Sequence, residues 1–233
     1  FILFNLSLIF LIDSSYFTCI SSKGFLYILP EGNYVISHNF SYHDIHNNLK
    51  EICNINNKPP FKVSYIGLLR ETKYMKLLID IFGNDERFIL NINGGGDNYN
   101  ELKEYAKKYT NVFLTGNYLP HEKKRFIEDS DILCYNYLSS YVNDYALANK
   151  YYDGLIYKKP MLGNIKTYSG RVIMEKGLGI SLDFEDKEYK DKIYNFLLNF
   201  SPEDFCNNAR KELEGILKED TFYMKKIEDF LNA

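Results

Sequence analysis

Asn149, Lys150 and Asp153 stand together in the stretch ANKYYDGLIYKKPML, residues 148–162. At roughly 100° per residue they fall within about a 100° arc near the start of a helix. Leu147, Ala148, Tyr151, Tyr152 and Leu155 take the other side, which can face a sheet. An amide and an ammonium can meet phosphate oxygens. A carboxylate one turn on can accept two hydroxyl hydrogen bonds, as a ribose diol offers. The plain alternative is a Lys150–Asp153 surface pair worth a few tenths of a kcal/mol.

Three further stretches carry residues of the same kind. In IGLLRETK, Gly67 closes an apolar run, and Arg70 and Lys73 follow at the start of a helical pattern. Two cations beside free helix N–H groups suit a diphosphate; two solvated basic residues are the alternative. In NGGGDNYNEL, Gly94, Gly95 and Gly96 lie between a strand and a helix, where glycine lets a ligand approach the backbone or simply allows a tight turn. The run is neither the G-x-G-x-x-G fingerprint nor a Walker loop. In GNYLP, the backbone at Asn117 can read a base edge and Tyr118 can stack on it; an ordinary loop accounts for it equally.

These stretches need a scaffold, and the pattern around them supplies one. From Phe61 on, KVSYIGLL, RFILNIN, NVFLTG, DILCYN, PMLGN and LGISL read as strands. TKYMKLLIDIF, NELKEYAKKY, HEKKRFIEDS, ALANKYYDGLIY and SGRVIMEKG read as the helices between them. Asn98 with Glu101 is expected to cap the second helix. Alternating strands and helices imply β-α-β units and an α/β fold with a doubly wound, mostly parallel, Rossmann-like sheet. Such sheets bind ligands beyond the C-terminal ends of their strands, where the four stretches fall.

After Asp186 the pattern becomes two or three terminal helices. Before Phe61, YFTCISS and NYVISHN read as strands around KGFLYILPEG, and residues 41–60 as a linker. The expected division is residues 1–60, a front segment and linker; 61–200, the ligand-binding domain; and 201–233, C-terminal helices.

Bulk properties exclude several classes. The net charge of -3 lacks the basic surplus of a general nucleic-acid binder. Cys19, Cys53, Cys134 and Cys206 form no C-x-x-C pair, so neither a zinc site nor a disulfide framework is expected. His38, His43, His46 and His121 lack metal-ligand spacing, and Asp131 reads as a cap or turn residue. HEKKR reads as a solvated basic face. The apolar run FILFNLSLIFLID is shorter than the roughly 20 residues that span a bilayer, and reads as a buried helix or strand.

The order of these motifs resembles the C-terminal half of a GT-B glycosyltransferase, most like family 4 enzymes of bacterial capsule, lipopolysaccharide or exopolysaccharide synthesis. The match runs through Gly67 with Lys73, INGGGDNYNEL, FLTGNYLP, SDILCYN and ANKYYDGLIYKKPML. CISSKGFLYILPEGNYVISHN resembles the end of the N-terminal domain, most of which would be missing. The resemblance implies transfer from a UDP- or GDP-sugar to a glycan or lipid-linked acceptor in the cytoplasm, peripheral at the inner membrane face, with no further cofactor and no metal. Arg70, Lys73 and Lys150 would stabilise the leaving diphosphate. Gly67, Gly94, Gly95, Asn117, Tyr118, Asn149 and Asp153 would bind the nucleotide. Two positions depart from the pattern. The first acid of Glu-x7-Glu falls on Tyr145, beside Asp144, and the arginine expected after the strand glycine is Leu68. A non-catalytic nucleotide-sugar-binding fragment or partner subunit is therefore the alternative.

Overall fold

The computed structural model describes residues 17–48, 55–56, 58–135 and 137–232. The apolar run at residues 1–13 and Cys53 lie outside them. Two short parallel strands, β1 (Thr18–Ile20) and β2 (Tyr34–Ile36), form the front segment. The expected linker instead holds a helix, α1 (Tyr42–Asn48). Ser41 Oγ accepts from the Asp44 N–H at 3.2 Å, and Ile45 is buried in the core, which gives this polar stretch a reason to be helical.

The main body follows in strict alternation: β3 (Phe61–Ile66), α2 (Thr72–Phe82), β4 (Phe88–Asn93), α3 (Tyr99–Ala106), β5 (Val112–Leu114), α4 (Lys123–Glu128), β6 (Ile132–Cys134), α5 (Asn149–Ile156), β7 (Met161–Asn164), α6 (Tyr168–Glu175) and β8 (Gly179–Leu182). All six strands pair in parallel, in the spatial order β5-β4-β3-β6-β7-β8. The chain winds outward from β3 in one direction, then returns to start again at β6. The crevice between β3 and β6 is therefore the point where the winding reverses.

The period-two alternation of the strands divides the core into two layers. Phe61, Val63 and Tyr65 of β3, with Ile132 and Cys134 of β6, face α2, where Met75, Leu78, Ile79 and Phe82 form a fully buried stripe. Ile66, Leu133 and Tyr135 face the opposite way, onto Tyr151, Tyr152 and Leu155 of α5. Two terminal helices follow, α7 (Tyr189–Leu198) and α8 (Pro202–Leu231). Ser201 caps α8, and the helix packs back on α5 and β2. His38, just after β2, ties these together: its ring nitrogens face the Tyr152 hydroxyl at 3.0 Å and Glu219 at 3.1 Å.

Candidate nucleotide-diphosphate site

The loops after the parallel strands gather at one edge of the sheet, and the glycines set how closely they meet. The Gly67 N–H donates to Asn93 O at 2.9 Å, and the Leu69 N–H to Gly95 O at 2.9 Å, so the ladder continues past both strands. A Cβ on Gly94 would lie 1.8 Å from Gly67 O. A Cβ on Gly95 would lie 1.7 Å from the Asn117 side chain, which is how the third loop joins the first two. The glycine run thus seats three loops against one another. Gly94→Ala is expected to lower stability by about 3 kcal/mol in urea unfolding, since backbone meets backbone there and neither can yield.

Lys150 sits where this edge meets the crevice. Ala148, at the start of α5, has no side chain to cap with, and its N–H donates to the Tyr135 hydroxyl at 2.5 Å. That contact fixes the start of α5 over the end of β6. Lys150 then reaches back across the crevice. Its ammonium bonds the Tyr137 hydroxyl and stands 4.1 Å from the Tyr65 ring centroid and 4.8 Å from that of Tyr137. A Cβ on Gly67 would be 3.4 Å from Lys150 Nζ. The aromatic rings hold the cation without neutralising it. Burial, then the neighbouring Tyr137, pushes the Tyr65 hydroxyl well above its ordinary value, so the ring stays uncharged beneath the ammonium.

Arg70 and Lys73 flank the first turn of α2. Both are exposed, and neither forms an ion pair among the described residues. Glu71 precedes the helix without a capping side-chain bond, so the N–H groups of that turn face the same edge. The expected Asn98–Glu101 cap is absent. Asn98 Nδ2 instead donates to Arg70 O at 3.2 Å, because holding the two loops together takes the amide away from its own helix.

The remaining residues divide. Asp153 does not lie on a solvent edge beside Lys150: it is buried, and Lys123 of α4 bonds its Oδ1 at 2.6 Å. Lys123 belongs to the stretch read as a solvated basic face, so that reading fails at this position. Burial raises the Asp153 pKa, and Lys123 opposes the rise without cancelling it. Tyr118 lies close enough to feel that charge: its pKa is raised by burial first and by Asp153 second. Its ring packs edge-on against Phe126 at 5.4 Å. Asn149 is exposed, and its Oδ1 accepts from Asn39 at 2.6 Å, which directs it to the front segment.

At the first acidic position, Asp144 closes its own loop. Its carboxylate accepts from Ser139 Oγ at 2.8 Å and the Ser140 N–H at 3.3 Å. Asp131 is the turn residue expected of it, accepting from the Lys62 N–H at 2.7 Å and the Asn56 N–H at 3.0 Å.

The sequence reading missed Tyr65 and Tyr137, whose alternation with buried strand residues hides their use as a cradle. It placed the α6 helix but did not name its cap, Thr167, whose Oγ1 accepts from the Gly170 N–H at 3.1 Å. A threonine three residues before glycine, just after an apolar strand, was the available signal.

No protein-family model matches the chain, and no curated protein matches it. Solved structures do. Sucrose-phosphate synthase from Thermosynechococcus elongatus aligns with a TM-score of 0.63 at 14% identity, over 93% of this chain and 58% of that one. HepE of Anabaena, solved in complex with UDP and glucose, aligns at 0.61 and 12% identity, over 91% and 62%. The lipopolysaccharide outer core galactosyltransferase WaaB aligns at 0.57 and 13% identity, over 83% and 57%. The chain spans less than two thirds of the length of each. The likeness is one of fold, and it is the fold expected from the sequence. Among the described residues, no helix is long and apolar enough to cross a membrane, and no three His, Cys, Asp or Glu side chains are grouped to hold a metal.

Proposed function

We propose that this chain is the donor-binding part of a glycosyltransferase of the GT-B, family 4 type, acting on a UDP- or GDP-sugar. The acceptor in this reading is a growing surface polysaccharide or lipid-linked glycan at the inner face of the membrane. One observation carries the proposal: the Lys150 ammonium is held over Gly67 at the point where the sheet's winding reverses. A cation fixed there, with the start of α2 and with Arg70 and Lys73 on the same edge, suits a diphosphate. As the bond from sugar to diphosphate breaks, negative charge grows on the leaving oxygen. Charges already in place stabilise it without reorganising. Gly94, Gly95 and Asn117 would shape the floor of the site, Tyr118 would meet the base, and Asp153 would take the ribose hydroxyls by sharing its charge with Lys123. The HepE complex with UDP and glucose supports a nucleotide ligand on this fold.

A second reading has its own observation. Asp144 is committed to its loop and Tyr145 holds the neighbouring position, so no carboxylate is free there to assist the sugar. That favours a binding subunit without transfer activity. Calorimetric titration with UDP, GDP and their sugars tests the shared premise. Micromolar to submillimolar binding of one nucleotide is expected. A folded protein that binds none at millimolar ligand sinks both readings. Release of free sugar from the bound donor then favours the enzyme over the binding subunit.

A further inference from the structure

A cavity lies on the face of the sheet covered by α5, α6 and α8, beside the front segment. Its volume is 860 Å³, within the range of about 300–1,000 Å³ usual for small-molecule sites. Its walls combine aromatic surface with balanced charge. Tyr27 and Tyr168 stand at 6.2 Å between ring centroids, and Tyr27 is 74% exposed. Three lysines (Lys23, Lys176 and Lys211) face three glutamates (Glu175, Glu212 and Glu219). A wall with no net charge gives no attraction to a diphosphate, so this is not a second nucleotide site.

Most of these charges are already engaged. Glu212 accepts from Tyr151 at 2.9 Å and pairs with Lys176 at 3.3 Å. Glu219 bonds Lys23 and faces His38. Lys211 and Glu175 form no ion pair among the described residues, which leaves an ammonium and a carboxylate on the wall for a ligand. A ligand that offers hydroxyls to both, and a flat C–H face to the tyrosines, is a neutral saccharide.

Gly215 adds an independent sign. It sits inside the 30-residue helix α8, where glycine costs about 1 kcal/mol against alanine. The other glycines each have neighbours that a Cβ would approach; around Gly215 there is nothing within 4 Å. No neighbour bars a side chain at this position, and the glycine leaves the cavity in front of it open.

We propose that this cavity binds a neutral saccharide. It deepens the donor-site reading, on which it rests for the role of that saccharide as acceptor glycan. Leu147 lines the cavity two residues before Asn149, and the Tyr168 N–H donates to Asp144 O at 3.1 Å, so the cavity adjoins the candidate donor edge.

The test is saturation-transfer NMR on the full chain with maltose and N,N'-diacetylchitobiose as probes, beside a UDP titration of the same samples. Transfer to at least one probe is expected in the parent protein. In Gly215→Trp, which carries a large ring into this space, it is expected to fall at least tenfold with UDP binding unchanged. Gly215→Ala keeps the transfer and has an equal or higher melting temperature. Tyr27→Ala, at an exposed position, lowers the transfer. No transfer in the parent, or equal transfer in Gly215→Trp, overturns the proposal. Saccharide transfer without UDP binding strikes the donor-site reading and leaves the cavity standing.

Discussion

Lys150→Ala is expected to weaken UDP binding by about 10- to 100-fold, the value of one charge-assisted hydrogen bond to phosphate. The side chain reaches over Gly67 onto ring faces and the Tyr137 hydroxyl and is not part of either core layer. Its removal therefore leaves the two core layers intact, and the melting temperature should move little. Arginine should not rescue fully, because its larger planar guanidinium would stack on the rings and place its charge differently from the compact ammonium. Calorimetry on the alanine and arginine variants, with thermal unfolding as control, separates a lost ligand contact from a lost fold. Unchanged affinity in Lys150→Ala would remove this residue from the site.

Lys123→Met should cost about 2 kcal/mol of stability at neutral pH. It leaves the buried Asp153 carboxylate without the partner now at 2.6 Å. The pH dependence follows from the direction of the Asp153 shift. Its folded pKa is raised above the ordinary 3.8, so the folded state holds the proton more tightly than the unfolded state. Its contribution to stability thus falls as pH rises from 3.8 through the folded value. Removing Lys123 lifts that folded value further. The variant should therefore match the parent in acid, where the carboxyl is neutral, and diverge from it as pH rises to neutrality. Urea unfolding across that range measures this. A deficit of equal size at every pH would mean that Lys123 acts by packing alone. Nucleotide affinity should fall as well, because Lys123 no longer holds the Asp153 carboxylate in place for the ribose hydroxyls.

The two variants probe the parts of the site that differed most in legibility. Lys150 was readable because its position on the helix and its place beyond a strand end both follow from one-dimensional pattern. The pairing of Asp153 was not. It depends on α4 packing beside α5, and no spacing in the sequence brings residue 123 to residue 153. The same holds for Tyr65 and Tyr137, which alternate like any core residues. Their use as a cradle follows from the parallel pairing of β3 and β6, which brings the C-terminal ends of the two strands side by side.

At the C-terminus the pattern left two or three helices open. The chain runs through as one helix from Pro202 to Leu231, and Thr221 stays within it by donating its hydroxyl to Leu217 O at 2.8 Å. The polar stretch before Phe61 gave no apolar period, and its helix is seated on the core by Ile45. The sheet itself was legible because short apolar runs, covered on both faces, admit few other arrangements.

The most direct measurement is the amide spectrum of the isotopically labelled chain during titration with UDP. The account predicts shifts at Gly67 to Lys73, Gly94 to Gly96, Asn117 and Tyr118, and at the start of α5. Shifts confined to the cavity beneath the front segment, or to the opposite edge of the sheet around Asp85 and Arg87, would contradict it.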